Sequence, residues 1–441
     1  GTYSFKLEFY ERMIPNGTDD YECENIIYIL NDTVNIFDGL TTNEWSGTGY
    51  SEDTFRLTQG MIANFAMTTF YVDAVSGNDD YEGTFFAPIK SINEVLKKID
   101  TINDGSSEYR IYIKGNINNT SENSSFENDS FINITPTKTL NLLICGFGNE
   151  KSIINAERND SQTGRVMYIG KNANVTLQNL ILTGGYLKKD KGAGLYILNN
   201  NAIVKIENSE ISENVIDNGY GAGLHVGYLA DESLNLTIEN SKISRNTIKH
   251  DSNGALSQAG AGIDIKNVAV TLTITNSDIS GNVIDQNNCS SVVFNDYGVG
   301  LCLGNRATTI ISGTAIKNNK IENAASTNEN AGGGVYLNGG TLEIQNSTEK
   351  NTVISGNSST IGGGVATLGS FSMSGGTISG NIVTSSDGIK GNGSAVAVLT
   401  NGLFTVSESI TIRGDVYLFD NQTITVSNDF EGGEVMITPY K

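Results

Sequence analysis

The sequence predicts an all-β chain, a right-handed parallel β-helix preceded by a small β-rich module and a short capping helix. Three observations carry this. A Gly-x-Gly element recurs, as GAGLYI at 192–197, GAGLHV at 221–226, GAGIDI at 260–265, GVGLCL at 298–303, GGGVYL at 332–337, GGGVAT at 362–367 and GSAVAV at 393–398. Its spacing is irregular, at 29, 39, 38, 34, 30 and 31 residues, as expected of a repeat with fixed coils and variable loops. A second element lies between, NSEISEN at 208–214, NSKISRN at 240–246 and NSDISGN at 276–282, with shortened forms at 313–319, 353–357 and 377–381. Within each unit apolar residues alternate, Leu224 and Val226 against His225, or Val204 and Ile206 against Lys205 and Glu207. That is the period of a strand, and no twelve-residue helical pattern separates the strands.

If each unit lies on the one before at the normal interstrand spacing, like residues form columns. Leu182, Ile211, Ile243, Ile279, Ile316, Ile354 and Ile378 become one aliphatic stack. Asn214, Asn246, Asn282, Asn319, Asn357 and Asn381 become an amide ladder at a corner. Taken together, the I-S-x-N and G-[AG]-G-[LIV] elements over residues 165–400 resemble the paired FxxN and GGA[ILV] motifs of polymorphic outer-membrane-protein repeats. That resemblance implies a bacterial surface β-helix, secreted or associated with the outer membrane. It implies nothing about chemistry.

Taken in order, residues 1–70 form the small module, where YSFKLEFY and ECENIIYIL flank the turn-rich IPNGTDDY as a β-hairpin. This part resembles the small β-grasp-like repeats of bacterial surface proteins, and Trp45 is read as a packing residue. The β-helix occupies 71–441, with its helical cap in 71–107. There Gly77, Asp79, Gly83 and Thr84, then Pro88 and Lys90, resemble the opening of pectate-lyase-like β-helices. Ile92, Val95 and Leu96 share one face of a helix that hides the first coil's apolar end and open strand edges. Asn78, Asp80, Glu82 and Gly83 partly mimic a calcium loop, but Ile89 stands where the closing Glu belongs. Asp79, Asp80 and Glu82 are therefore the metal candidates, and calcium is the one cofactor left open. Residues 108–165 supply the first, less regular coils, with a polar excursion at 116–130. LFTVS, ITIRGDVYLF, TITVSN and VMITPY supply the last.

Composition sets further bounds. The 441 residues include 50 Gly and 4 Pro, and 28 basic against 49 acidic residues give a net charge of −21. That charge opposes nucleic acid and anionic membrane as partners. With no run of eighteen apolar residues, membrane insertion is not expected. Cys23, Cys145, Cys289 and Cys302 show no metal spacing and no disulfide framework; only Cys289 and Cys302 share a repeat. The chain opens at Gly1 without a signal peptide, read as a mature or trimmed form.

Stacking also places outward residues side by side. The column Tyr196, His225, Asp264, Cys302, Tyr336, Ala366, Ala397 sets His225 beside Asp264 with Cys302 next, an arrangement that raises a nucleophile reading. The plainer reading is a set of solvent-facing positions where any residue is allowed, and a third is a ligand-contacting stripe whose Tyr faces stack on sugars. Glu207 and Glu239 fall on adjacent rungs at a separation resembling that of retaining glycosidases, with Lys205 and Lys242 near enough to neutralise them. Three long insertions, beginning at Thr247, Val283 and Lys320, leave from one corner and bring His250, Phe294 and Tyr297 into one patch. The binding candidates are Tyr196, His225, Asp264, Tyr336, Phe294 and Tyr297, with no catalytic residue assigned. The expected function is adhesion or glycan binding without catalysis, by a monomer whose partner is a glycan or a host or cell-surface protein. A lyase or hydrolase acting on acidic polysaccharide is the second reading, and a structural spacer the third. The NTD, DD, GHG and RIK elements of polygalacturonase-type hydrolases do not occur on the regular coils.

Overall fold

A computed structural model describes residues 2–15, 21–35, 45–46, 68–118, 129–148, 150–198, 201–227, 232–250, 258–266, 268–287, 295–323, 330–384, 393–432 and 435–439. The expected hairpin pairs Thr2–Pro15 with Tyr21–Asn35 antiparallel, and Trp45–Ser46 adds a third strand against Thr33 and Val34. From Thr69 onward the chain winds as a parallel β-helix. Among the described residues its coils build stacked sheets of 12, 10, 11 and 7 strands, each coil adding the next strand. Within a coil the Gly-x-Gly strand comes first, then a long strand, then the short strand of the isoleucine column, then a fourth short strand. One coil thus reads Leu195–Leu198, Ala202–Glu207, Glu210–Ser212 and Val215–Asp217.

The alternation places one side of each strand in a continuous aliphatic core. The expected isoleucine stack is present rung by rung, from Ile154 against Leu182 to Ile378 against Ile412. Over its open end lies the helix Ile92–Ile102, burying Ile92, Val95 and Ile99. Ser91 caps it, its hydroxyl accepting from the Glu94 N–H at 3.3 Å. The Asp79 carboxylate accepts from the Ser91 N–H at 2.9 Å, which ties the preceding turn to the helix start.

Three buried ladders fix the corners. The asparagine ladder is as expected: Asn246 Oδ1 accepts both the backbone N–H of Asn214 at 3.1 Å and its Nδ2 at 3.0 Å. Asn246 Nδ2 in turn donates to the Ile211 carbonyl and to Asn282 Oδ1. The pattern continues through Asn319 and Asn357 to Asn381. A second ladder is made of hydroxyls, Ser209, Ser241, Ser277, Thr314 and Thr352, each accepting the backbone N–H of the preceding coil at that corner. A third closes the loop necks. Gln258, Asp296 and Asn330 accept from the N–H of Gly219, Gln258 and Asp296 in turn.

The Gly-x-Gly element serves all of this. Its first glycine, such as Gly221 at φ 60°, turns the chain back into the sheet. Its middle residue, Ala193, Ala222, Ala261 or Val299, packs in a small core with Leu187, Ile216, Ile248, Ile284 and Ile321 of the fourth sheet. Its third glycine has no room for a side chain. A Cβ on Gly223 would stand 2.6 Å from the Gly262 carbonyl oxygen and 2.7 Å from Asn246 Nδ2. The same crowding against a ladder asparagine holds at Gly194, Gly262, Gly300, Gly334 and Gly364. In the next coil the position is Ala395, and three residues beyond Ile412, where earlier coils carry the ladder Asn, stands Asp415. Glycine is kept where the ladder stands and lost where it ends.

Candidate functional site

The predicted outward column exists in register. Tyr196, His225, Asp264, Cys302, Tyr336, Ala366 and Ala397 are successive cross-strand partners, preceded by Tyr168 and followed by Tyr417. Its exposure differs from the expectation. His225 and Asp264 are 1% exposed, Tyr336 is 7% exposed, and Ala366 and Ala397 are fully buried. The cause is the path by which each coil re-enters the sheet. Lys191, Tyr220, Ala259, Tyr297, Ala331 and Ile361 bridge one another in parallel and form a narrow secondary ladder. The turn that follows closes over the foot of the column: a Cβ on Gly221 would stand 2.8 Å from the His225 Cβ. Ala331 of this strap packs with Tyr336, Ala366, Ala397 and Tyr417 of the column in a satellite apolar cluster. Period-2 alternation separates the inside of a coil from its outside, but does not reveal that the outside is roofed.

Tyr196 is held on three sides. Its ring stacks on Tyr168 at 5.2 Å, tilts against His225 at 5.2 Å and lies 5.3 Å from the Arg165 guanidinium carbon. Arg165 is itself paired with Asp190 at 2.6 Å. Gly227 makes room for the ring, since a Cβ there would fall 2.0 Å from the tyrosine hydroxyl. This ring is a packing element of the column.

His225 Nδ1 is 2.8 Å from Asp264 Oδ2, an ion-pair distance, yet the approach lies outside hydrogen-bond geometry. Both Asp264 carboxylate oxygens are buried without a hydrogen-bond partner. Burial pushes the His225 pKa below its ordinary value, outweighing the opposing pull of Asp264, so the ring is neutral at pH 7. Cys302 is a free thiol whose pKa is driven well above the ordinary value, first by burial and then by the Asp264 charge. A thiol beside a carboxylate and separated by a whole rung from the imidazole is the opposite of an activated nucleophile. Cys145, on the outer side of its strand, is likewise pushed up to about 11 by burial.

Asp264, Cys302 and Tyr336 form one wall of an open cleft of about 390 Å³. Tyr220 and Tyr297 from the re-entry strap form the other, with Lys266, Gly304 and Asn338 along the floor where the strands end. Tyr297 stacks on Tyr336 at 4.6 Å, and the Lys266 ammonium sits 3.2 Å from the centre of the Tyr220 ring. The cleft thus unites three of the predicted residues, Asp264, Tyr336 and Tyr297, and adds Tyr220 and Lys266, which sequence reasoning missed. Their signal was present: Tyr220 and Tyr297 each precede a Gly-x-Gly, and Lys266 follows Asp264 by two on one strand face.

The remaining candidates fall elsewhere. Phe294 lies outside the described residues. His250 is buried in the neck of its loop, not at the tip, where Nε2 meets Asp296 at 2.8 Å and Nδ1 faces Gln258 at 3.3 Å. Gln286 bridges Asp296 and Asn330 in the next neck. Glu207 and Glu239 are on adjacent rungs as expected, but Lys205 sits between them at 3.1 Å from each. Asp79 serves the helix cap, and the Asp80 N–H closes a turn on Asn78 Oδ1. Among the described residues no three His, Cys, Asp or Glu side chains are grouped to hold a metal ion, and no helix is long and apolar enough to cross a membrane.

No protein-family model matches the chain, and no curated protein matches it. What the fold defines is a class: a parallel β-helix with a tyrosine-walled cleft on the outer side of its Gly-x-Gly sheet.

Proposed function

We propose that this chain is an exported bacterial surface β-helix that binds glycan through the Tyr220–Tyr297–Tyr336 cleft and performs no chemistry on it, in the manner of an adhesin. The observation that carries the reading is the cleft itself, where aromatic rings from successive coils are held beside an ammonium, a carboxylate and an amide. Tyrosine offers sugars an apolar face and a polar rim at low entropic cost. The protonation states around the cleft support binding over catalysis. The Cys302 thiol, held in its protonated form, is no activated nucleophile, and His225 does not line the cleft. The net charge of −21 and the likeness of the repeat motifs to those of bacterial surface β-helices support the exported setting. A glycan array probed with the whole chain tests the proposal: binding weakened by Tyr297→Ala and Tyr336→Ala is expected. Product release from a uronic-acid polymer, lost in Asp264→Ala, would overturn it in favour of a polysaccharide-cleaving enzyme. Silence across glycans and uronic-acid polymers alike would leave a spacer.

A further inference from the structure

Within the cleft one group has no structural task. Asp264 is 1% exposed, and neither of its carboxylate oxygens meets a donor in good hydrogen-bond geometry, with only the His225 imidazole and the weakly donating Cys302 thiol beside it. The other buried polar side chains of this region are spoken for. Gln258 and Asp296 belong to the loop-neck ladder, and His250 and Gln286 brace them. A buried carboxylate left without donors is unfavourable unless something supplies them, so it calls for an explanation. Its neighbours answer it only in part, since the Cys302 thiol on the next rung is a weak donor. Neutral His225 approaches off-angle, and the Lys266 ammonium, two residues along the same strand face, is turned over the Tyr220 ring at 3.2 Å.

We propose that Asp264 is the specificity-determining acceptor of the cleft, taking hydroxyl hydrogen bonds from a neutral pyranose whose ring lies against Tyr297 and Tyr336. This deepens the glycan-binding reading and rests on it. Charge selects the class of sugar. Asp264 brings a carboxylate and Lys266 an ammonium to the cleft, so an uncharged ligand adds no further charge to it. A uronic acid would set a second carboxylate against Asp264 inside a partly desolvated space, where like charges repel strongly. Shape agrees with this. A cleft of about 390 Å³ falls in the size range of small-molecule sites and matches one or two sugar rings rather than a long polymer groove.

The test is calorimetric titration of the whole chain with a panel of neutral methyl hexopyranosides and their disaccharides, against galacturonate and glucuronate of equal length. The expected result is that at least one neutral sugar binds at least tenfold more tightly than any uronate. Asp264→Asn, nearly isosteric, should lower that affinity at least tenfold with a thermal midpoint close to the native one. Equal or tighter binding of uronates overturns the inference while leaving glycan binding intact. So does an Asp264→Asn protein that folds and binds within twofold of native. If Asp264→Asn does not fold, the neutral-over-acidic preference of the native chain decides alone. Failure of every sugar, neutral or acidic, overturns the inference together with the glycan reading on which it rests.

Discussion

Replacing Asn246 by alanine should unfold the middle of the solenoid more readily than any exposed change of the same size. Asn246 is fully buried and takes part in four side-chain hydrogen bonds across the corner. Its removal leaves the backbone N–H of Asn214 facing a void, since Asn246 Oδ1 is the acceptor that group uses at 3.1 Å. A stranded buried donor costs about 1–3 kcal/mol, and the loss of the remaining amide bonds adds about 1–2 kcal/mol. The expected total is about 2–5 kcal/mol. Asn381 provides the internal comparison. It ends the ladder, is 8% exposed, and accepts from Asn357 without passing its amide on to a further asparagine. Asn381→Ala strands the Asn357 N–H in the same way but loses one amide bond fewer, so it should cost about 1 kcal/mol less. Urea unfolding followed by circular dichroism gives both numbers, and amide exchange at Asn214 reports the opened corner directly. Equal destabilisation by the two variants, or an Asn246→Ala protein within about 0.5 kcal/mol of native, would refute the view that the ladder holds the coils in register.

Other expectations follow from the same geometry. Gly223→Ala places a methyl against the Gly262 carbonyl and the Asn246 amide, neither of which can swing away, and should cost about 1–3 kcal/mol or more; Ala395→Gly, at the same position beyond the ladder, should stay within about 1 kcal/mol of native by thermal melting. Cys302, with its thiol held protonated, should resist iodoacetamide at pH 8 in the native state and label promptly in urea, as mass spectrometry can follow. His225 has its folded pKa depressed below the unfolded value of 6.5, so the unfolded chain binds the extra proton. Stability is then unaffected by this group above that pH and falls by up to about 1.4 kcal/mol per pH unit between the unfolded and folded values. His225→Gln should flatten that slope in melts taken from pH 7.5 to 5.

The coils were readable because their columns repeat a single side chain. Ile211, Ile243 and Ile279 share one letter and one place, and so do Asn214, Asn246 and Asn282. The hydroxyl ladder was missed because its letters change from Ser209, Ser241 and Ser277 to Thr314 and Thr352 as the Asn-Ser pair disappears. Only the oxygen is constant. The neck ladder is harder still: Gln258, Asp296 and Asn330 have nothing in common but an acceptor, and each closes a loop of different length. His250 read as a loop residue because it follows the strand Thr247–Lys249 by one position, which is where the neck begins. In the column, register was legible and burial was not. Which residues touch along a stack follows from the repeat, whereas the strap of Tyr220, Ala259 and Tyr297 over them follows from the path of the chain between coils.

The closed necks carry a consequence for how such a chain can change. Between His250 and Gln258, and again between Gln286 and Asp296, the two ends of an insertion are joined by buried hydrogen bonds. Lengthening a segment anchored in this way adds an entropic penalty that grows only with the logarithm of its length. New recognition sequences can therefore be spliced in at one edge of the molecule while the spring behind them stays wound, and binding specificity can drift without re-solving the folding problem.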